Sequence, residues 1–538
     1  MRLSELIKNL PDRRVIGDAD MPIAGIAYDS RRVGKGFIFV AISGQHLDGR
    51  SFVTDAIGRG ASVIVAGEAA ADTGVTQVVV PDVRDAMARL SAAFYREPSR
   101  NMTLMGVTGT NGKTTITYLI ESILSAAGCN VGVIGTVNYR YAGKTFSAPH
   151  TTPEAPDLNM ILREMVDNGV THCTMEVSSH ALAQKRVDGC RFTGAVFTNL
   201  THDHLDYHGT MERYFESKSR LFTDFIAGAG GGFSVINIDD PWGKRLSEKL
   251  RALNSGLQGL NKKPEIFSYS INGDSDIKPV KASFSERGID AILNTPIGRI
   301  NISSFLLGDY NLQNIMAAVG AGIGLGLDRG VIENGVTSLK RVDGRLERIL
   351  SKGGFQAVVD YAHTGDALER VLNTLKPLAK GRLITVFGCG GDRDRGKRPV
   401  MGEISTRLSD FTIITSDNPR SEDPLEIIKE IEAGIKNCKK VEIEQLAAKS
   451  QKQEARSQNQ EKILPLASCP LPHAYAILPD RHDAIRVALN MAAPKDIILV
   501  AGKGHEDYQI IGSRRIPFDD TREIKMAIEE REGVRAAG

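Results

Sequence analysis

Residues 106 to 115 read Gly-Val-Thr-Gly-Thr-Asn-Gly-Lys-Thr-Thr, a glycine-rich turn that closes on Lys113 and Thr114. A short apolar run (Leu104, Met105, Val107) precedes it, and Ile116, Leu119, Ile120, Ile123, Leu124 and Ala127 follow at helical spacing. Strand, glycine turn and helix in that order form a phosphate cradle. Glycines let the backbone approach, amides at the helix start face negative charge, Lys113 adds a cation, and the Thr114 hydroxyl can reach magnesium. The turn is expected to grip ATP. Its spacing is irregular: five residues separate Gly106 from Gly112 and only two separate Gly109 from Gly112, so the ordinary Walker pattern does not describe it.

Other segments carry chemistry in a similar setting. Glu176 stands at the end of an expected strand and before Ser178-Ser179-His180, where open α/β sheets place ligands and a carboxylate can hold magnesium. Residues 201 to 208, Thr-His-Asp-His-Leu-Asp-Tyr-His, pack three histidines and two aspartates together. The His-x-His-x-Asp start of a zinc hydrolase signature would need His where Tyr207 stands, so a histidine assisting a magnesium site is the better reading. By composition alone Lys218 is an ordinary surface lysine on a helix. Asn311 and Asn314, at a helix start, suit either caps or contacts to a purine edge. Three further segments, Gly388 to Pro399, Ser416-Asp417-Asn418-Pro419-Arg420 and Ala501-Gly502-Lys503-Gly504-His505-Glu506, follow expected strands. They should converge at the carboxyl edge of one sheet, with a guanidinium for a carboxylate and Glu506 for an ammonium, as an amino-acid site requires.

The elements that position these residues are α/β throughout. The first hundred residues alternate short strands (Ala24 to Tyr28, Phe37 to Ile42, Ser62 to Ala66, Gln77 to Val80) with helices near Ser51 to Gly60 and Asp82 to Tyr95. Glu97-Pro98-Ser99-Arg100 breaks the pattern. A mainly parallel sheet with helices on both faces follows, with strands at Cys173 to Val177, Ala195 to Thr198 and Ser234 to Ile238, hairpin-like alternation from Val280 to Phe305, and a helix from Asn311 to Gly324. A second α/β run has strands at Ala357 to Asp360, Leu383 to Phe387, Phe411 to Thr415 and Ile497 to Val500. The expected division is 1–98, a small N-terminal α/β domain; 99–339, a central P-loop-type ATPase parallel sheet; and 340–538, a doubly wound Rossmann-like domain with a polar insertion at about 440–465.

A chain of 538 residues exceeds one core. With 41% hydrophobic and 25% charged residues it has globular composition, and 67 basic against 65 acidic side chains, a formal charge of +2, point to neither nucleic acid nor an anionic membrane. Six cysteines without metal spacing read as reduced thiols. With no signal peptide or membrane-length apolar run, the expected location is cytoplasmic.

Taken together, Gly109-Thr110-Asn111-Gly112-Lys113-Thr114, Glu-Val-Ser-Ser-His, Asp-His-Leu-Asp-Tyr-His-Gly, Asp360-Tyr361-Ala362-His363-Thr364, Asp-Asn-Pro-Arg and Gly-Lys-Gly-His-Glu resemble the motifs of the ATP-dependent Mur ligases. The resemblance covers nearly the whole length. It implies a ligase of cell-wall peptidoglycan synthesis that moves the γ-phosphate of ATP to the carboxylate of UDP-N-acetylmuramoyl-L-alanyl-D-glutamate. An amino acid's amine then displaces phosphate from the acyl phosphate. It also implies Mg2+, with Thr114, Glu176, His204 and Lys218 as the metal set, Lys218 being carbamylated to N6-carboxylysine. Lys113 joins Glu176, His204 and Lys218 as catalytic, and Asn314, Arg345 and His363 join Gly109 to Thr114 as ATP contacts.

For the nucleotide substrate the resemblance implies Ser30, Gln45, His46, Thr151, Thr152, Ser178, Gln184 and Arg186. For the amino acid it implies Arg393, Asp417, Asn418, Pro419, Arg420, Gly502 and Glu506. Arg420 would repel a distal ammonium and pair with a distal carboxylate, which favours meso-diaminopimelate over lysine. A lysine-adding Mur ligase and a folylpolyglutamate synthase-like ligase are the alternatives, the latter disfavoured by the N-terminal module. The sequence departs from the family pattern at Gln45-His46, at Gly365 and in the polar insertion.

Overall fold

The computed structural model describes residues 1–44, 48–71, 73–228, 231–256, 263–442 and 473–533. Gln45, His46, Cys469 and nearly all of the expected polar insertion lie outside the described residues. The chain divides into two compact units, one of Met1–Pro279, Leu293–Ile300 and Asn314–Val336, the other of Val280–Ile292, Asn301–Gln313 and Thr337–Gly538.

The first unit holds two sheets. A five-stranded sheet runs in the order Arg14–Ile16, Thr76–Val79, Ala61–Ala66, Phe37–Val40, Gly25–Ala27, parallel except at its first pair. The strands are short and β-branched, and their inward residues Val40, Val63, Val65 and Val78 join Leu3, Leu6, Met87 and Leu90 in one core. The helix Val83–Phe94 starts where Asp82 accepts from the Arg84 and Asp85 amides, an N-cap. It packs on the helix Ala155–Asp167 of the following segment. Around that seam the Tyr28 hydroxyl donates to Asp157 (2.6 Å), Arg32 pairs with Asp157 (2.8 Å) and Lys185 with Asp82 (2.6 Å).

The larger sheet has eight strands in the order Glu265–Tyr269, Phe233–Asn237, Gly194–Phe197, Thr103–Thr108, His172–Glu176, Val131–Ile134, Asn138–Tyr141, Lys144–Ser147. The first six are parallel and the last two antiparallel. Val107 lies opposite Glu176, and Thr108 opposite Phe197. Three neighbouring strands therefore end at the same level, and the chemistry-bearing segments begin there.

The second unit holds a seven-stranded sheet in the order Glu347–Leu350, Gln356–Asp360, Ile497–Ala501, Leu383–Phe387, Phe411–Ile414, Ala474–Ile477, Lys439–Lys440, antiparallel only at its first pair. Ala357, Val359, Ile384, Val386, Ile498 and Val500 enter one apolar cluster, while Val358, Leu383, Phe387, Ile497, Leu499 and Ala501 enter another. Alternate residues of one strand point to opposite faces, so the sheet is covered on both sides, as the doubly wound expectation requires.

The expected strands occur within a residue or two of their places. The helix expected near Ser51 to Gly60 is present as Val53–Gly58, preceded by a 3-10 turn, Gly49–Phe52. Sequence reading also passed over the edge strand Arg14–Ile16, the ribbon Asn138–Tyr141 and Lys144–Ser147, and the hairpin Tyr508–Ile511 and Arg514–Pro517. Among the described residues no helix is long and apolar enough to cross a membrane.

Candidate active site

The turn from Gly109 to Gly112 joins the strand Thr103–Thr108 to the helix Lys113–Ala126, as its sequence requires. Gly112 sits at φ +88°, and a Cβ there would meet Asn314 Oδ1 at 2.5 Å, so both conformation and space demand glycine. The turn is held from the next strand end: the Asn111 amide donates to Asn199 Oδ1 (2.9 Å), the Thr110 amide to the Asn199 carbonyl (2.9 Å), and Thr198 Oγ1 to the Asn111 carbonyl (2.6 Å). Lys113 Nζ donates to the carbonyls of Gly109 (3.1 Å) and Thr110 (2.8 Å).

Glu176 and Thr114 meet directly, Thr114 Oγ1 donating to Glu176 Oε1 at 2.9 Å. The carboxylate is 1% exposed and also accepts from the Thr136 amide and hydroxyl, each at 2.9 Å. Buried carboxylates persist when their oxygens are hydrogen-bonded in this way. Thr152 Oγ1 donates to the Glu176 carbonyl (2.8 Å) and accepts from the Ser178 amide (3.0 Å), and Thr151 lies 3.0 Å from Thr136 through their hydroxyls. Ser178 Oγ caps the short helix Ser179–Ala183. Arg186 donates to Gln184 Oε1 (2.8 Å) and the Thr152 carbonyl (2.9 Å), and pairs with Glu154 (3.0 Å). Thr151, Thr152, Ser178, Gln184 and Arg186 thus form one connected polar wall beside Glu176.

Lys218 is not the surface lysine that composition suggested. It is 2% exposed, and its Nζ donates to the Gly109 carbonyl at 2.8 Å and lies 4.7 Å from the Tyr214 ring centre. The helix Met211–Phe222 turns Tyr214, Phe215, Lys218, Leu221 and Phe222 inward, at helical spacing. Burial first, and the neighbouring Lys113 cation second, hold the Lys218 pKa well below the ordinary lysine range.

His204 has a left-handed backbone (φ +54°) at the start of the short helix Leu205–His208, and its ring lies 4.9 Å from that of His180. Its side chain is 46% exposed, and partial desolvation lowers its pKa. Burial, reinforced by neighbouring imidazoles and by Lys218, brings His180 and His208 down to about 4. His208 is tied to Ser179 Oγ at 3.0 Å. Among the described residues no three His, Cys, Asp or Glu side chains form a ready-made metal cage.

Ser30 is buried in the 3-10 turn Ser30–Arg32 of the N-terminal sheet region. Asn311 Nδ2 donates to the Leu307 carbonyl (2.7 Å), which makes it a staple of its helix start. Asn314 is the residue at the glycine turn.

In the second unit, the segments after Phe387, Ile414 and Ala501 leave three adjacent parallel strands and do converge. Asn418 Nδ2 donates to Glu506 Oε2 (2.8 Å), and Asn418 Oδ1 accepts from the Ile510 amide (2.9 Å). Arg420 takes a left-handed backbone (φ +51°) that its hydrogen bonds to Ile510 and Gly512 hold in place, and its Nη1 donates to the Gly391 carbonyl (2.7 Å). A Cβ on Gly390 would meet Arg420 Nη1 at 2.9 Å and Arg393 Cγ at 3.9 Å, so the two arginines flank that glycine. A Cβ on Gly502 would meet Asp417 Oδ2 at 3.6 Å. Pro419 links Asn418 and Arg420 in the same turn. Burial first, then Asp417, raises the Glu506 pKa. Arg345 stands 4.5 Å over the Tyr361 ring and lines a cleft of 220 Å³ with Phe305, Lys340 and Arg348, and His363 Nδ1 lies 2.8 Å from the Tyr361 carbonyl.

Sequence reading missed several members of these clusters. Thr136, Thr198 and Asn199 also follow strand ends, so the rule that singled out Glu176 would have found them. Arg398, fully buried and bonded to Glu422 and Glu430, braces the Gly388 to Pro399 turn. Lys503 was quoted within a motif but given no role.

Family models match along the chain in three blocks: "Mur ligase family, catalytic domain" over residues 22–95, "Mur ligase middle domain" over 107–322, and "Mur ligase, glutamate ligase domain" over 344–504. The chain belongs to the Mur ligase family, three-domain α/β ligases whose central sheet carries the glycine turn. It is 47% identical over 531 residues, 98% of each chain, to the UDP-N-acetylmuramoyl-L-alanyl-D-glutamate--2,6-diaminopimelate ligase of Geobacter sulfurreducens. A solved structure of a UDP-N-acetylmuramoyl-L-alanyl-D-glutamate--2,6-diaminopimelate ligase is 32% identical, with a TM-score of 0.66 and 99% of each chain covered. The folylpolyglutamate synthase of Mycobacterium tuberculosis shares the fold at 17% identity and a TM-score of 0.59, over 78% of this chain and 93% of that one.

Proposed function

We propose that this chain is an ATP-dependent amide ligase that joins meso-diaminopimelate to UDP-N-acetylmuramoyl-L-alanyl-D-glutamate in peptidoglycan precursor synthesis. Full-length relatives bear the name of that reaction. The observation that carries the reading is the cluster of Asp417, Asn418, Arg420 and Glu506 at adjacent strand ends, in a chain whose glycine turn also sits against Glu176 and a buried Lys218. Arg420 and Arg393 suit a carboxylate, Asp417 and Glu506 an ammonium, and a distal diaminopimelate centre carries both. A lysine-adding ligase would leave the guanidinium of Arg420 facing a like charge.

In the proposed reaction the substrate carboxylate attacks the γ-phosphorus of ATP, giving an acyl phosphate and ADP. The amine of diaminopimelate then displaces phosphate, and an amide forms. Residues Gly109 to Thr114 are assigned to the phosphates, with the Thr110 and Asn111 amides kept by Asn199, and Lys113 leaves its own loop carbonyls to pair with phosphate oxygens. Such transfer is catalysed by positioning and charge, so no protein nucleophile is assigned. Thr151, Thr152, Ser178, Gln184 and Arg186 hold the muramoyl-peptide portion, and Ser30, Gln45 and His46 the uridine nucleotide. Asn314, Arg345 and His363 are assigned to ATP. The division at 98/99 and 339/340 is our domain assignment.

The donor set fits magnesium. The Thr114 hydroxyl and the Glu176 carboxylate are adjacent hard oxygens, and one or two carboxylates plus phosphate oxygens are the usual protein share of such a site. Bound there, magnesium would neutralise charge on the transferring phosphoryl group. As an ammonium Lys218 cannot join; as a carbamate it can, with His204 beside it. Burial and Lys113 favour the neutral amine, the form that adds carbon dioxide and releases a proton.

Arg420→Ala tests the reading. A charge-assisted contact contributes roughly 1.5–3 kcal/mol, so kcat/KM for diaminopimelate should fall about ten- to a hundredfold. KM for ATP and for the UDP-substrate should hold. Equal loss for all three substrates would remove the amino-acid assignment.

A further inference from the structure

Lys503 is a buried cation inside the carboxylate cluster of the amino-acid pocket, and the proposed chemistry leaves it without a task. Its side chain is fully buried. Nζ lies 3.3 Å from Glu506 Oε2, 3.4 Å from Asn418 Oδ1 and 3.6 Å from Asp417 Oδ1, with the Tyr508 ring centre at 5.5 Å. All three distances are long for an ammonium, so it sits between the carboxylates without saturating either. Asp417 Oδ1 is itself buried and has no hydrogen-bond partner among the described residues.

The charges around Lys503 are unevenly shared. Two carboxylates, Asp417 and Glu506, belong to the pocket, and the cations Lys503, Arg420 and Arg393 outnumber them; Arg481, which also faces Glu506, is neutralised by its buried pair with Asp520 (2.6 Å). An incoming side chain that ends in an ammonium and a carboxylate together adds no net charge. A side chain that ends in a lone ammonium adds a positive charge to a pocket already in positive excess, at a partly desolvated site where such repulsion is weakly screened. We infer that Lys503 is a specificity-determining residue, the fixed cation that makes this pocket accept a zwitterionic side-chain terminus and reject a lone ammonium. The inference rests on the reading of this pocket as the diaminopimelate site.

Lys503 also favours the ionised form of Glu506. Glu506 is faced by Asp417, Lys503, Asn418, Tyr361, Tyr508 and Arg481; burial and Asp417 raise its pKa, while Lys503 and Asn418 lower it. Removing the Lys503 charge raises Glu506 further. The acid limb of kcat/KM for diaminopimelate then moves to higher pH.

The test compares Lys503→Met, Lys503→Gln and Lys503→Arg in the full-length enzyme, with diaminopimelate and lysine as competing amines. Both neutral variants should lower the diaminopimelate-to-lysine ratio of kcat/KM by about tenfold or more and shift the acid limb upward, with KM for ATP unchanged. Lys503→Arg should restore ratio and limb. A folded neutral variant with the wild-type ratio would overturn the inference, and so would neutral variants that fail to fold, since Lys503 would then be purely structural. Wild-type turnover with diaminopimelate in the same experiment separates the two claims; its absence would overturn the underlying reading as well.

Discussion

At the residue scale the proposed reaction depends on where two lysines are put. Lys113, proposed to pair with phosphate, is on the first turn of a helix behind a glycine corner, and Lys218 lies with Tyr214, Phe215, Leu221 and Phe222 on the buried face of its own helix. Lys218→Ala should lower turnover by about a thousandfold, the order expected when a group that stabilises transferring charge is lost. With 13C-bicarbonate the unaltered enzyme should show a carbamate resonance that Lys218→Ala lacks; turnover with no such resonance would remove the carbamylated role. Lys113, Thr114 and Glu176 were legible in the sequence because local order, strand then glycine turn then helix, gave them context. Lys218 was legible only through the family resemblance, and Lys503 had no role assigned, because burial is a property of what packs around a residue. Nothing in Glu-Ser-Lys-Ser-Arg or Gly-Lys-Gly-His-Glu states that the lysine points inward.

At the scale of elements the site depends on corners that few residues tolerate. Gly112→Ala would force a side chain into a left-handed backbone and against Asn314. KM for ATP should rise at least about tenfold, while far-ultraviolet circular dichroism stays unchanged; an unchanged KM would show that the turn is not the nucleotide contact. The Gly388 to Pro399 turn is clipped by Arg398 to Glu422. Arg398 holds the Glu422 pKa down at about 2, from an ordinary 4.5. A carboxylate depressed in the folded state gives stability that is fully present above the ordinary value and is lost as pH falls from 4.5 towards 2. Glu422→Gln should therefore flatten the decline of thermal stability across that window, measured against the unaltered protein; parallel profiles would contradict the clip. Parallel core strands were readable as short apolar runs, whereas the edge ribbon Lys144–Ser147 is exposed at every position and offers no such run.

At the scale of the whole molecule, sequence motifs reached further than composition or periodicity. Charge balance pointed to no partner, and strand patterns indicated the α/β class without a reaction. The family followed from several motifs at their proper strand ends, and relatives aligned over 98% of the chain bear one reaction name. In the proposed reading the choice of amino acid falls to a few side chains beside Arg420. Phosphate release with ATP and UDP-N-acetylmuramoyl-L-alanyl-D-glutamate, measured with meso-diaminopimelate and separately with lysine, tests that choice most directly. Release that depends on diaminopimelate and is at least about a hundredfold weaker with lysine is the predicted result. Release with lysine alone, or with neither amine, would contradict it.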